Sequence, residues 1–113
     1  MECESIAESV SFEDGVVQIA FDLAGSPAGY LILSRPHGVG AKDEFFGTDH
    51  YVEVRDQLYA GYGAIEMLEI DNPSRFRIRL RIPVPDVGRN LTIVSRSPMP
   101  DTLINELQTI AGR

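Results

Sequence analysis

One cysteine, Cys3, is all that the 113 residues contain. A lone thiol closes no internal disulfide and supplies no cysteine metal cluster, so stability must come from packing, as suits a reducing cytoplasm. No apolar run approaches the ~20 residues that span a bilayer as a helix, so no membrane partner is expected. The opening Met1-Glu2-Cys3-Glu4-Ser5 is acidic where a secretory leader is basic and then apolar. A cytoplasmic protein is therefore expected, with Cys3 in a frayed terminal segment. Basic residues are scarce too: ten against seventeen acidic ones, a formal charge of −7. That disfavours nucleic acid, where affinity comes mainly from basic groups on phosphates. It suits a basic protein partner, because opposite fields steer encounter. With 24% charged and 43% hydrophobic residues the chain is not of disordered composition, and its length predicts one domain, 1–113.

Signatures of chemistry are equally sparse. His37 and His50 flank a stretch holding Asp43, Glu44 and Asp49, but no tight ligand spacing fixes either histidine. Gly38-Val39-Gly40-Ala41-Lys42 lacks the Lys-Ser/Thr step of a phosphate loop and the helix that would follow it. The serines carry no Gly-x-Ser-x-Gly elbow. Asn90-Leu91-Thr92 matches a glycosylation acceptor, read as a chance match because export is not expected. No catalytic residue, no metal ligand and no cofactor is expected.

What is present is strand periodicity. Phe76, Ile78, Leu80 and Ile82 alternate with Arg75, Arg77, Arg79 and Arg81, which gives a strand one apolar face and one row of guanidinium groups. The turn Asp71-Asn72-Pro73-Ser74 joins it to a preceding strand. Pairing Asp71 with Ser74 would set Met67 opposite Ile78, Ile65 opposite Leu80 and Glu66 opposite Arg79. Pro83 and Pro85 should end the second strand, since proline donates nothing to a ladder.

The other elements follow in chain order. Ile6, Val10 and Phe12 mark one side of a short first strand, and Asp14-Gly15 a hairpin turn. Val17, Ile19, Phe21 and Leu23 form the inner face of a second strand. Tyr30 to Arg35 is apolar enough for a central one. Tyr51 to Arg55 alternates, Asp56 to Gly63 reads as a connection, and Leu91, Ile93 and Ser95 mark a last strand. Pro36 to Asp49 is a long irregular segment, of the kind usually functional in a compact domain. Leu103, Ile104, Leu107, Ile110 and Ala111 place one apolar stripe on a helix from roughly Pro100 to Ala111. The fold class expected is α+β, an antiparallel sheet of six to seven strands with a C-terminal amphipathic helix on its apolar face.

Tyr51-Val52-Glu53-Val54-Arg55-Asp56-Gln57, then Gly61-Tyr62-Gly63-Ala64-Ile65-Glu66 and the alternating Arg75 to Arg81 strand, resemble immunity protein family ten of bacterial polymorphic-toxin systems. The Asp14-Gly15 turn, the Gly29 to Leu33 strand and the closing helix come in the order that family shows, although Ala64 stands where it often has a second glycine. The resemblance implies a non-enzymatic, cofactor-free domain that binds and neutralises a cognate protein toxin. Two surfaces are candidates for that contact. The first is the long loop, with acidic Asp43, Glu44 and Asp49 beside the aromatic anchors Phe45 and Phe46. The second is the outer sheet face with Tyr51, Glu53, Glu66, Arg77 and Arg79. A different class of function, a small-ligand binder or enzyme, would place its pocket between the sheet and the 36–49 loop. A homodimer through an open sheet edge is a further possibility.

Overall fold

Period two places Phe76, Ile78 and Leu80 inside and their arginine neighbours outside, and the rest of the sheet is built on that division. The computed structural model describes residues 1–13, 15–25, 29–36 and 50–112. Among them are eight strands: β1 (Glu2–Glu13), β2 (Val16–Ala24), β3 (Tyr30–Pro36), β4 (Tyr51–Val54), β5 (Asp56–Tyr62), β6 (Ile65–Asn72), β7 (Arg75–Val84) and β8 (Gly88–Ser95). One helix, α1 (Asp101–Gly112), follows.

All eight strands belong to one sheet in the order β5-β4-β3-β2-β1-β8-β7-β6. β5 and β6 lie at opposite edges, yet only Gly63 and Ala64 join them. A flat sheet cannot satisfy both facts, so this one curls into a half-barrel. Gly63 adopts φ 68°, a left-handed turn that glycine makes without strain. Its N–H donates to the His50 carbonyl at 3.0 Å, and the Arg81 N–H donates to the Ala64 carbonyl at 2.8 Å. The Phe21 and Phe76 rings show the same curl from inside. β2 and β7 are three places apart in the sheet, about 14 Å if it were flat. Their ring centroids are 5.1 Å apart across the concave interior.

The expected α+β class holds, with two corrections to the sheet. Its strands number eight, because Asp56–Tyr62 is a strand and not a connection. It is mixed: β1 runs parallel to β8, with Glu2 to Ser5 beside Thr92 to Ser95. Neighbours that far apart in sequence leave no local signal of their direction.

Bulges account for the register corrections. Ile65 does face Leu80, but an extra residue at Glu66 puts Leu68, not Met67, opposite Ile78. A bulge at Ile6 likewise reverses the parity of β1. Cys3 and Ser5 point inward before it, while Ile6 is exposed. Cys3 is thus a buried core residue and not part of a frayed end. Phe12 is exposed, and so is Ile82, which the alternation sets on the apolar face of β7, although Val84 two residues further on is buried. β7 continues through Pro83 to Val84, although its ladder with β8 breaks between Arg79 and Val84, where Pro83 supplies no donor.

The helix closes the concave side. Leu103, Leu107 and Ile110 are buried against a core drawn from β1, β2, β3, β4, β6, β7 and β8. Met99, also buried, fixes the approach by donating its N–H to the Pro73 carbonyl at 2.8 Å. On the polar side Arg35 bridges to Glu106 at 2.7 Å and ties the helix to β3. Leu107 is fully buried, so Leu107→Ala should cost about 2–5 kcal/mol, a fall in Tm of about 10 °C or more. Leu107→Asp should release the helix altogether, seen as lost helical circular dichroism. Wild-type melting of both variants would show that the helix is not part of the core.

Candidate functional site

The outer surface of β1 to β4 is a grid set by register. One cross-strand row runs Ser9, Ala20, Ile32, Glu53, and the next runs Ala7, Asp22, Tyr30. These positions alternate with inward Ile19, Phe21, Leu31, Leu33, Val52 and Val54, which are buried in the core. Glu53 is the exception on this face, for an outward carboxylate that is only 8% exposed demands partners. Two tyrosines provide them. Tyr30 Oη donates to Glu53 Oε2 at 2.6 Å, and Tyr51 Oη donates to Glu53 Oε1 at 2.5 Å. Each carboxylate oxygen retains a lone-pair direction beyond the one its tyrosine uses.

Because Ala7, Ser9 and Ala20 are small and Tyr30, Ile32 and Glu53 are not, the grid carries a shallow, open depression of about 410 Å³. Ala20 and Ile32 give it an apolar floor, with Asp22 and Glu53 at its margin. Glu8 borders it too, but accepts from Ser5 Oγ at 2.6 Å and Ser95 Oγ at 3.1 Å. Ser5 and Ser95 are buried where β1 meets β8, and the Ser95 hydroxyl donates more closely to the Ser97 carbonyl, at 2.6 Å.

The arginine row of β7 is organised differently. Arg77 bridges Asp71 at 2.9 Å and Glu69 at 2.8 Å, and Arg75 reaches Asp71 at 3.2 Å. Arg79 donates to the Asn90 side-chain oxygen at 3.0 Å, and Arg81 to the Gly63 carbonyl at 2.8 Å. Every member has an acceptor, so the row is knitted into its neighbours and not held open for a phosphate. Glu66 pairs with Arg89 at 2.7 Å and not with Arg79, a consequence of the bulge at its own position.

The sequence candidates on the outer face therefore do not share one surface. Tyr51 and Glu53 lie in β4, while Arg77 and Arg79 lie in β7, five places away in the sheet, and Glu66 is on the β6 edge. Asp43, Glu44, Phe45, Phe46 and Asp49 fall outside the described residues, as does His37. His50 lines a groove of about 570 Å³ beside β6, with Glu66, Glu69, Arg81 and Ile110. Among the described residues no three His, Cys, Asp or Glu side chains are grouped to hold a metal ion, and no helix is long and apolar enough to cross a membrane. Sequence reasoning missed Tyr30, Asp22, Ala20 and Ile32. Alternation marks Ala20 and Asp22 as outward in β2, but only the β2–β3–β4 register brings them to Glu53. Comparison with family models, with curated proteins and with solved structures finds no match for this chain.

The Arg77 hydrogen bond to Asp71, with the Arg77 charge and Arg75 adding to it against partial desolvation, holds the Asp71 carboxyl below its ordinary value of 3.8. A depressed folded-state value contributes stability that is present above the ordinary one and disappears as pH falls through the folded one. Asp71→Asn should therefore show a shallower decline of Tm on acidification below about pH 4 than the wild type. Equal declines would mean that the Asp71–Arg77 contact adds no stability in solution.

Proposed function

We propose that this domain is a non-enzymatic immunity protein, of the kind its Tyr51 to Leu80 segment resembles, which binds a cognate bacterial toxin in the cytoplasm and blocks it. The observation that carries the reading is the outer-face depression, where an apolar floor meets acid groups on rigid strands. Such a surface suits a basic protein: the apolar floor contributes buried area, and the acids contribute steering and register. A net charge of −7 extends the attraction beyond contact distance. The self-paired arginine row leaves the β1–β4 face as the better acidic surface of the two on the sheet. Binding a small ligand is the competing reading, supported by the groove of about 570 Å³ beside β6.

Co-expression with the product of the neighbouring coding sequence, where that product is a large toxin, should yield a complex that survives purification. Asp22→Lys should then slow association about tenfold or more at low salt and flatten its salt dependence. The double variant Asp43→Lys with Glu44→Lys is the parallel arm, and whichever arm slows association marks the surface used. Failure to form a complex at micromolar concentration would remove the toxin-binding reading. Saturable binding of a small metabolite at the β6 groove would replace it.

A further inference from the structure

We infer that the β1–β4 depression is a socket for one cationic side chain, a lysine or an arginine, presented by the partner protein. This rests on the reading that the domain binds a protein, and adds what chemistry the partner must offer. Lysine and arginine share the feature that matters, a charged head on an aliphatic stem. The stem would lie over Ala20 and Ile32, and the head would reach the free lone pairs of Glu53 with Asp22 on the flank.

Three observations favour a cation over a neutral or anionic group. First, a phenol has one hydrogen, and Tyr30 and Tyr51 both give theirs to Glu53. The clamp therefore leaves no phenolic donor for an anion, and Glu53 is the charged group that lines the depression beside them. Second, neither Glu53 nor Asp22 has an ion pair among the described residues. Arg55, close in sequence, is turned away onto the Pro85 carbonyl at 2.9 Å and Asp86 at 3.4 Å. Third, Glu53 is already desolvated and fixed in place before any ligand arrives. Much of the water removal and side-chain ordering that binding a charge normally requires has thus been done by folding.

The test needs no toxin. Amide nitrogen–proton NMR spectra would be recorded while titrating Nα-acetyl-lysine methylamide, its arginine counterpart, and the lysine compound with its ε-amine acetylated. At least one cationic probe should give saturable shifts confined to Ala7, Ala20, Ile32 and Glu53, with Kd on the order of 1–10 mM for so small a ligand. Which of the two binds more tightly tells lysine from arginine. Ala20→Leu, which fills the floor and leaves the charge unchanged, should abolish the shifts. Asp22→Asn should weaken binding several-fold, and Glu53→Gln should weaken it about tenfold or more. The socket is overturned if the acetylated probe binds equally well, if Ala20→Leu has no effect, or if shifts spread evenly to Glu66 and Glu69. Failure here leaves toxin binding intact, and a missing toxin complex leaves the socket intact.

Discussion

Two residues, Gly63 and Ala64, span the distance between strands that stand at opposite ends of the sheet order. That connection is the constraint from which the architecture follows. A sheet whose edges must meet has to curl, and curling turns one face into an interior small enough for a single helix to fill. It also brings Phe21 and Phe76 into contact across strands that never pair. Twisted sheets bend readily in this sense, and the bulges at Ile6 and Glu66 add local bend where the strand path needs it.

Curling also divides the outside. Residues on the convex face splay apart, so β4 and β7 present separate surfaces with opposite electrostatic habits. Around β7 the charges are reconciled within the chain: Asp71 is shared by two arginines, and Arg79 and Arg81 are met by neutral oxygens. Exposed pairs of this kind add little stability each, but they leave a surface with few unmet demands. Around β4 the reverse holds. A carboxylate is taken out of water and held by two hydroxyls, with no counter-charge on it among the described residues. Such an arrangement keeps its field available to whatever approaches from outside.

Much of this was legible in the residues, and what was not has identifiable causes. The β7 alternation, the β2 inner face and the helical stripe are local patterns, and each element formed where its period indicated. The β5 strand was hidden because Gly61 and Gly63 punctuate a segment with no clean alternation. The parallel β1–β8 pair was hidden because direction between strands distant in sequence is decided by the path of the chain, not by either strand. At the site, Tyr51 and Glu53 could be named from β4 alone, whereas Tyr30 could not. Its role depends on the register between β3 and β4, which are separated in sequence by the 37–49 segment. A bulge has the same effect: one inserted residue at Glu66 exchanged Met67 for Leu68 on the inner side.

The parallel seam between β1 and β8 has a bearing on how the molecule is made. The Met1 ammonium donates to the Asn90 carbonyl at 2.7 Å across a sequence separation of 89 residues, and the Thr92 N–H returns a bond to the Met1 carbonyl. During synthesis β1 to β4 emerge first and can associate, but the β8 flank of β1 stays unpaired until the tenth decade of the chain has left the ribosome. Closing a loop over such a distance costs more entropy than closing any hairpin of the sheet, so this pairing rests on contacts that the hairpins have already made. For that interval the backbone donors and acceptors on one side of β1 have no strand to bond, and the core face around Cys3 is open on that flank.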